Sequence, residues 1–471
     1  RRDQGGRVDI GADEFDGTTP SFTLRVVRVS PSGNDDHDGS SWELAKRTVQ
    51  AGINAIAGPG GGDVWVAAGT YTERITLEAC VHVYGGFAGT EFRRDQRDWV
   101  AHVTILDGNA GGSVVSVPFG SELGTVDGFT IRNGKATKAG GGICCDSSSP
   151  TIANNTITGN SVTGLYAPGG GIYCAGGSPA ISNNAVTGNS AIGRQAYGGG
   201  IYCFGGSPKI SNNMITGNIA DGTSSSCGGG IYCSGGSPTI SNDTITGNAL
   251  TGTDSDCDGG GIHCHYSSPT ITNTIVAFNS SGICASGSGS NLRYNCVYGN
   301  TAYNYSGVAN PTGTDGNISA DPQLVLSPTA GVDGKWGTAD DDLGDLHLRA
   351  GSPCIDAGDN GAVPPRILTD LGSLPRFFND PITVDTGLGT APIVDIGAHE
   401  YILGDFDRDG DIDTEDMKTF AACVAGPAVP HAGNCAKADF DKDGDVDQSD
   451  FGFLQRCFSG EDRAADTGCG D

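Results

Sequence analysis

Between residues 139 and 300, apolar and polar positions alternate in short runs broken by turn residues. Gly171-Ile172-Tyr173-Cys174 alternates with period two, and so does Thr239-Ile240-Ser241-Asn242, each run closed by Gly, Pro or Asn. Period two marks a strand with one buried face, and a helix would not survive this Gly and Pro load. The pattern also repeats as a whole. The glycine triplet beginning at Gly140 returns at Gly169, Gly198, Gly228 and Gly259, so its spacing is nearly constant. Ser-Pro keeps step at 149–150, 178–179, 207–208, 237–238 and 268–269. An interval of this size means one supersecondary unit per repeat, stacked on its neighbours into a shared core. Each unit reads as short strand, turn, short strand, turn and variable loop. That is one coil of a parallel β-helix, rising about 4.8 Å per coil.

Stacking superposes equivalent positions. Ile172, Ile201, Ile231 and Ile262 form an inward ladder, with Cys145, Cys174, Cys203, Cys233 and Cys264 beside it on the same face. Asn155, Asn184 and Asn213 form a turn ladder whose amides hydrogen-bond along the stack. Tyr173, Tyr202, Tyr232 and His263 fall on the outer face, either stiffening the sheet by cross-strand packing or gripping a sugar chain. His263 and His265 flank Cys264 there and form a candidate metal pair. Unit length varies only before each glycine triplet, so Ser161–Pro168 and Ala249–Asp258 read as loops projecting from one edge.

Composition narrows the setting. The chain has 16 Cys, a formal net charge of −28 and 17% charged residues. Phosphates would be repelled, which excludes nucleic acid as a partner. No apolar run approaches the roughly 18 residues of a membrane helix, so membrane insertion is excluded too. The chain opens on Arg1 without a signal peptide and reads as a mature or trimmed product of a secreted, extracellular or cell-surface protein. The ladder cysteines read as buried thiols. Cys227 and Cys257 occupy matching loop positions in adjacent coils and are a candidate bridge in an oxidising compartment.

The C-terminal region carries different chemistry. Asp405, Asp407, Asp409, Asp411, Asp413 and Asp416 surround Gly410 at calcium-loop spacing. Asp439, Asp441, Asp443, Asp445, Asp447 and Asp450 repeat the arrangement around Gly444, position for position. Hard oxygens surround the ion, glycine turns the chain, and Ile412 or Val446 anchors each loop. Two Ca2+ sites are expected within 404–471, each followed by a helix, over Met417–Val424 and Phe451–Phe458. Cys423 and Cys457 stand equally far from their loop starts at Asp405 and Asp439, and so do Cys435 and Cys469. Cys423–Cys435 and Cys457–Cys469 are therefore the simplest pairings. Residues 404–471 hold 17 acidic and 6 basic side chains, so folding here should depend on the ion.

The duplicated loop and helix resembles a type I dockerin, an α-helical module of EF-hand type. That resemblance implies partner recognition by loop positions 10 and 11, here Thr414, Glu415, Gln448 and Ser449, which depart from the Ser-Thr pairs usual in that family. The solenoid is similar to right-handed parallel β-helix proteins of the pectate-lyase-like superfamily. Val29 to Asp35, Thr48 to Ala57 and Gly69 to Glu73 resemble their N-terminal cap, with Val49, Ile53 and Ile56 at helical spacing. Gly351 to Asp359, Pro375-Arg376 and Val394-Asp395-Ile396-Gly397-Ala398-His399-Glu400 resemble the closing signature of choice-of-anchor Q surface proteins. In those, a cell-attachment device follows the β-helix, and here the dockerin-like module takes its place. The loop from Asp333 to Asp342 is a further candidate cation site.

Arg7 to Phe15 repeats the closing signature ahead of the cap. Val8, Ile10, Ala12 and Phe15 would then close a preceding β-helix or be donated to another subunit's solenoid. The expected organisation is a closing or donated strand over 1–15 and a β-helix over 16–403. Within the latter lie a cap at about 22–62, regular coils at about 139–300 and an irregular closing region at 301–403. The calcium module follows over 404–471. The regular coils hold no Glu and only six Asp, so no catalytic residue is assigned there, although irregular segments such as 301–375 could assemble one. The expected protein is a non-enzymatic structural or adhesive solenoid, self-associating or bound to a scaffold protein. The alternative is a polysaccharide-active or polysaccharide-binding β-helix recruited by its dockerin.

Overall fold

The computed structural model describes residues 25–58, 60–121, 123–252, 259–286, 289–334, 336, 338, 340–408, 410–460 and 463. The chain winds into a parallel β-solenoid whose three walls are sheets of ten, nine and nine parallel strands. One coil shows the plan, with wall strands at Ile172–Ala175, Ala180–Ser182 and Ala185–Thr187. The sequence reads the last two as a single strand. Asn183 separates them because its backbone is left-handed, with φ of 56°, and turns the chain by one wall.

Each wall contributes an inward ladder. Ile172, Ile201, Ile231 and Ile262 stand in register and are wholly buried, as expected. Ile181, Ile210, Ile240 and Ile271 line the second wall, and Ile157, Val186, Ile215 and Ile245 the third. Burying each such side chain contributes roughly 1.5–3 kcal/mol. Cys145, Cys174, Cys203, Cys233 and Cys264 form the expected column of buried free thiols. Thiol–thiol hydrogen bonding and burial hold Cys174, Cys203, Cys233 and Cys264 well above the ordinary thiol pKa, so they remain protonated.

Ser161–Pro168, read as a projecting loop, is a strand, whereas of Ala249–Asp258 only Ala249–Leu250 is strand and residues 253–258 lie outside the described residues. Ser161–Pro168, Ser190–Tyr197 and Ile219–Cys227 belong to a fourth parallel sheet of five strands. Val162, Ala167, Ala191, Ala196 and Ala220 pack together along it. Its buried side chains are small and its middle positions exposed, so period two is barely visible. This sheet lies over the aromatic ladder. Tyr173, Tyr202, Tyr232 and His263 stack at 5.3, 5.2 and 5.4 Å between successive ring centroids. Tyr166 and Tyr197 pack against them, leaving Tyr202 and Tyr232 only 3% and 7% exposed. The ladder is packing, not an open sugar strip.

Amides stack twice. Asn155, Asn184 and Asn213 form the expected ladder, each Nδ2 donating to the Oδ1 one coil away at 3.0–3.1 Å. Asn160, Asn189, Asn218, Asn248, Asn279 and Asn300 form a second at 2.9–3.0 Å, at the Asn of each Gly-Asn or its equivalent. Asp243 ends the first run and accepts from Asn213 Nδ2 at 2.9 Å.

The helix Val49–Ile56 covers one end of the solenoid, capped by Thr48 and burying Val49, Ile53 and Ile56 against the first strands. The described residues beyond 320 do not continue the stack. They fold back along the outer face of the third wall, where Leu324, Leu346, Leu348, Ile355 and Ile396 pack on Ile275, Ala277 and Cys296.

Asp243 gives a test of the amide ladder. Its Oδ2 is buried without a hydrogen-bond partner, and burial raises its carboxyl to about 7. With a folded pKa above the unfolded one, the wild type should lose stability as pH rises from about 4 to about 7. Asp243→Asn restores the amide of the neighbouring rungs. It should remove that slope and raise stability near pH 8 by about 1–2 kcal/mol, read from denaturant titrations.

Candidate metal centre

Each Asp-rich loop runs directly into a helix. The helices span Thr414–Ala421 and Gln448–Cys457, beginning three positions earlier than the sequence pattern places them. The cause is capping inside the loops. Asp413 accepts from Glu415 N while Asp416 accepts from Asp413 N, and Asp447 with Asp450 repeats this box. The caps are themselves expected ligands, so ion binding and helix initiation share the same atoms.

In the first loop Asp405, Asp407 and Asp416 present oxygens within 4.8 Å of one another, and so do Asp411, Asp413 and Asp416. In the second loop Asp439, Asp441 and Asp450 converge, and so do Asp445, Asp447 and Asp450. Asp416 and Asp450 therefore sit at the centre of their loops, fully buried. Asp443 belongs to neither triad and accepts from Asp445 N at 3.1 Å, while Asp409 lies outside the described residues. Burial first, and the neighbouring Asp407 carboxylate after it, raise the Asp416 pKa. Burial and then Asp450, Asp443 and Asp439 raise that of Asp441. Asp445 Oδ1 is buried with no hydrogen-bond partner. Convergent hard oxygens, crowded and partly unsatisfied, fit a divalent cation.

Several expected residues are placed individually. Thr414, Glu415, Gln448 and Ser449 lie in the first turns of the two helices, all four at exposed positions. Cys423 and Cys435 form the expected disulfide, with Cα atoms 5.3 Å apart. Cys457 is also disulfide-bonded, and its expected partner Cys469 lies outside the described residues. So do Cys257, the expected partner of buried Cys227, and the segment holding Val8, Ile10, Ala12 and Phe15. His263 is stacked on Tyr232 and its pKa is lowered to about 4 by burial. Among the described residues no third ligand joins it and His265. In the loop from Asp333 to Asp342, Asp340 turns onto the N–H groups of Val332 and Asp333, and no three carboxylates converge among the described residues.

The Asp-rich loops do not stand apart from the solenoid. Ile412, Phe420, Phe440, Val446 and Leu454 share one apolar core with Leu374, Phe378, Ile402 and Leu403 of the closing region. Arg408, at position four of the first loop, reaches Asp345 at 2.8 Å.

The closing region is held by a buried ion pair. Arg376 and Glu400, both fully buried, approach to 3.2 Å. Arg376 also donates to the carbonyls of Gly397 at 2.6 Å and Asp395 at 3.2 Å, and to Asn242 Oδ1 of the solenoid at 3.2 Å. Ala398 N donates to Thr244 Oγ1 and Gly397 N to the Asn273 carbonyl, both at 2.9 Å. Asp356, Asp370 and Asp395 are buried alongside, and burial raises them to about 8, 6 and 7. This hub was not legible in advance, because Pro375-Arg376 gives no sign that the guanidinium would be enclosed.

Residues 46–220 match a family described as right handed beta helix region. The search of curated proteins finds no match. Among solved structures, pectate lyase Pel9A aligns at 16% identity over 81% of this chain and 98% of that one, with a TM-score of 0.40. A pectin methylesterase in complex with hexasaccharide VII aligns at 14% identity over 63% and 92%, with a TM-score of 0.31. The pectin methylesterase PemA from Erwinia chrysanthemi aligns at 14% identity over 63% and 92%, with a TM-score of 0.27.

Divalent cation removal should unfold the C-terminal core first. At a hundredfold excess of ion over its dissociation constant, one site adds about 2.7 kcal/mol. EDTA and Asp416→Ala should each lower the melting of this region while the β-sheet circular dichroism persists. Arg376→Met leaves Glu400 buried without its partner and should cost about 3–5 kcal/mol. Arg93→Met, at an exposed pair with Asp95, should change stability by about 0.5 kcal/mol or less.

Proposed function

We propose that this chain is an extracellular structural or adhesive rod whose C-terminal module binds two Ca2+ ions and serves for attachment or assembly. The carrying observation is the core shared by the Asp-rich loops and the closing region, through Leu374, Phe378, Ile402 and Leu403. Ion loading and the solenoid's flank then form one unit, so a force on the module is passed to the rod. A joint between rods needs that property.

Thr414, Glu415, Gln448 and Ser449 open the two helices of the module and form the recognition edge of the type I dockerin reading. The partner is a second copy or a surface scaffold protein. In the self-assembly form, Val8, Ile10, Ala12 and Phe15 of one subunit are donated to the solenoid of the next. In the choice-of-anchor Q reading, the module stands where a cell-attachment device would follow the closing signature. Asp243, one of the six acidic residues of the regular coils, is buried at the end of an amide ladder, which supports a non-enzymatic reading.

Electron microscopy of the purified chain, with calcium and after EDTA, tests the assembly. Fibres with an axial repeat of one solenoid plus module are expected with calcium, and their loss in EDTA. Isolated rods under both conditions would remove self-assembly and leave attachment to a different partner.

A further inference from the structure

The fold-back of the closing region creates a groove of about 730 Å3 on the outer face of the third wall. Its floor is a column of four residues on successive coils, Thr130, Thr156, Ala185 and Met214. Three strand spacings give it a length of about 14 Å. The strand Asp345–Leu348 and residues around Asp370 and His399 form the opposite wall. Trp99, Val100 and Val103 close one end, with Val100 77% exposed.

Polar groups line this groove, with unspent capacity on its solenoid side. His399 Nδ1 is buried without a hydrogen-bond partner, 3.8 Å from Asp370 Oδ2. The His347 ring lies 4.0 Å from that of His399, and its Nδ1 meets Asp345 Oδ1 at 2.6 Å. Asp345 is in turn fixed from its other oxygen by Arg408, so the imidazole is held rigidly. On the solenoid side, Asn183 accepts from Asn212 at 2.7 Å while its Nδ2 donates to no described residue. Thr156, in the floor, is exposed.

We propose that this groove binds an uncharged, extended glycan. Amide, hydroxyl and imidazole groups set beside Met214, Val100 and Trp99 match a chain whose rings carry hydroxyls around an apolar face. Charge disfavours a polyuronate. Asp345 and Asp370 line the groove and no Lys or Arg does among the described residues. Arg97, stacked on Trp99, is already paired with Asp127 at 2.6 Å. An extended peptide is disfavoured because the floor is a sheet face whose backbone groups are used by the neighbouring coils, so no strand can be added.

This proposal adds a ligand to the adhesive rod and does not rest on its self-assembly. Calorimetric titration of the full calcium-loaded chain with linear neutral glucan, xylan, mannan and galactan oligosaccharides tests it, beside oligogalacturonate of equal length. At least one neutral series should bind, with oligogalacturonate at least tenfold weaker. Thr156→Trp and Thr130→Trp, which fill the floor from two positions, should each weaken that binding tenfold or more. Thr239→Trp, exposed on another wall, should leave it unchanged. Equal or tighter binding of oligogalacturonate, indifference to both floor variants, or no binding by any neutral series would overturn the proposal. Fibres imaged from the same preparations report on assembly separately, so either reading can fail alone.

Discussion

Everything in this molecule depends on one register: each coil satisfies its backbone hydrogen bonds on the coils above and below. Ile172 N, for example, donates to the Gly200 carbonyl at 2.8 Å, and Ile201 N to that of Gly230 at the same distance. A slip by one residue would turn the isoleucine and cysteine ladders outward and bring polar residues into the lumen. The glycine triplets protect that register. A Cβ on Gly171 would lie 2.7 Å from the Gly200 carbonyl oxygen, and one on Gly200 would lie 2.7 Å from that of Gly230. The coils approach so closely there that only glycine fits, which is why the triplet is the least variable part of the repeat.

Because the coils are locked, side chains outside the lumen are free to specialise. The amide ladders tie turns together, the tyrosine column stiffens the first wall, and the fourth sheet covers it. The third wall has no such cover along its length, and part of it receives the closing region. The solenoid thus supplies a flat, rigid bed, and the irregular C-terminal third builds upon it.

What could be read from the sequence follows from where the information sits. Ladder positions repeat at fixed intervals, so Ile172, Cys174 and Asn184 announced their places. The cap helix and the Asp-rich loops follow local rules of spacing and capping, and they also emerged. The fourth sheet did not, because Ala167, Ala196 and Ala220 are too small and too sparsely alternating to signal a strand. The second amide ladder was present as a landmark, Gly-Asn, without its role. The closing region was opaque for a different reason. Arg376 and Glu400 are distant from each other in sequence, and their segments meet only by docking on the turn that holds Asn242 and Thr244, far earlier in the chain. Likewise His347 and His399 belong to segments that only the fold-back brings together.

The same fold-back explains how two unlike halves act as one body. A buried arginine with several buried carboxylates is a weak source of net stability, since desolvation offsets most of the Coulomb attraction. Its value lies in specificity, because Arg376 bonds to Gly397, Asp395, Glu400 and Asn242 in a geometry no shifted arrangement could reproduce. Leu374 and Phe378, on either side of Arg376, insert into the core beneath the Asp-rich loops, as do Ile402 and Leu403 just beyond Glu400. Ordering of those loops by a cation would therefore be felt at the ion pair, and from there at the solenoid turn bearing Asn242. The path runs through covalent neighbours and packed side chains throughout, so it needs no flexible intermediary.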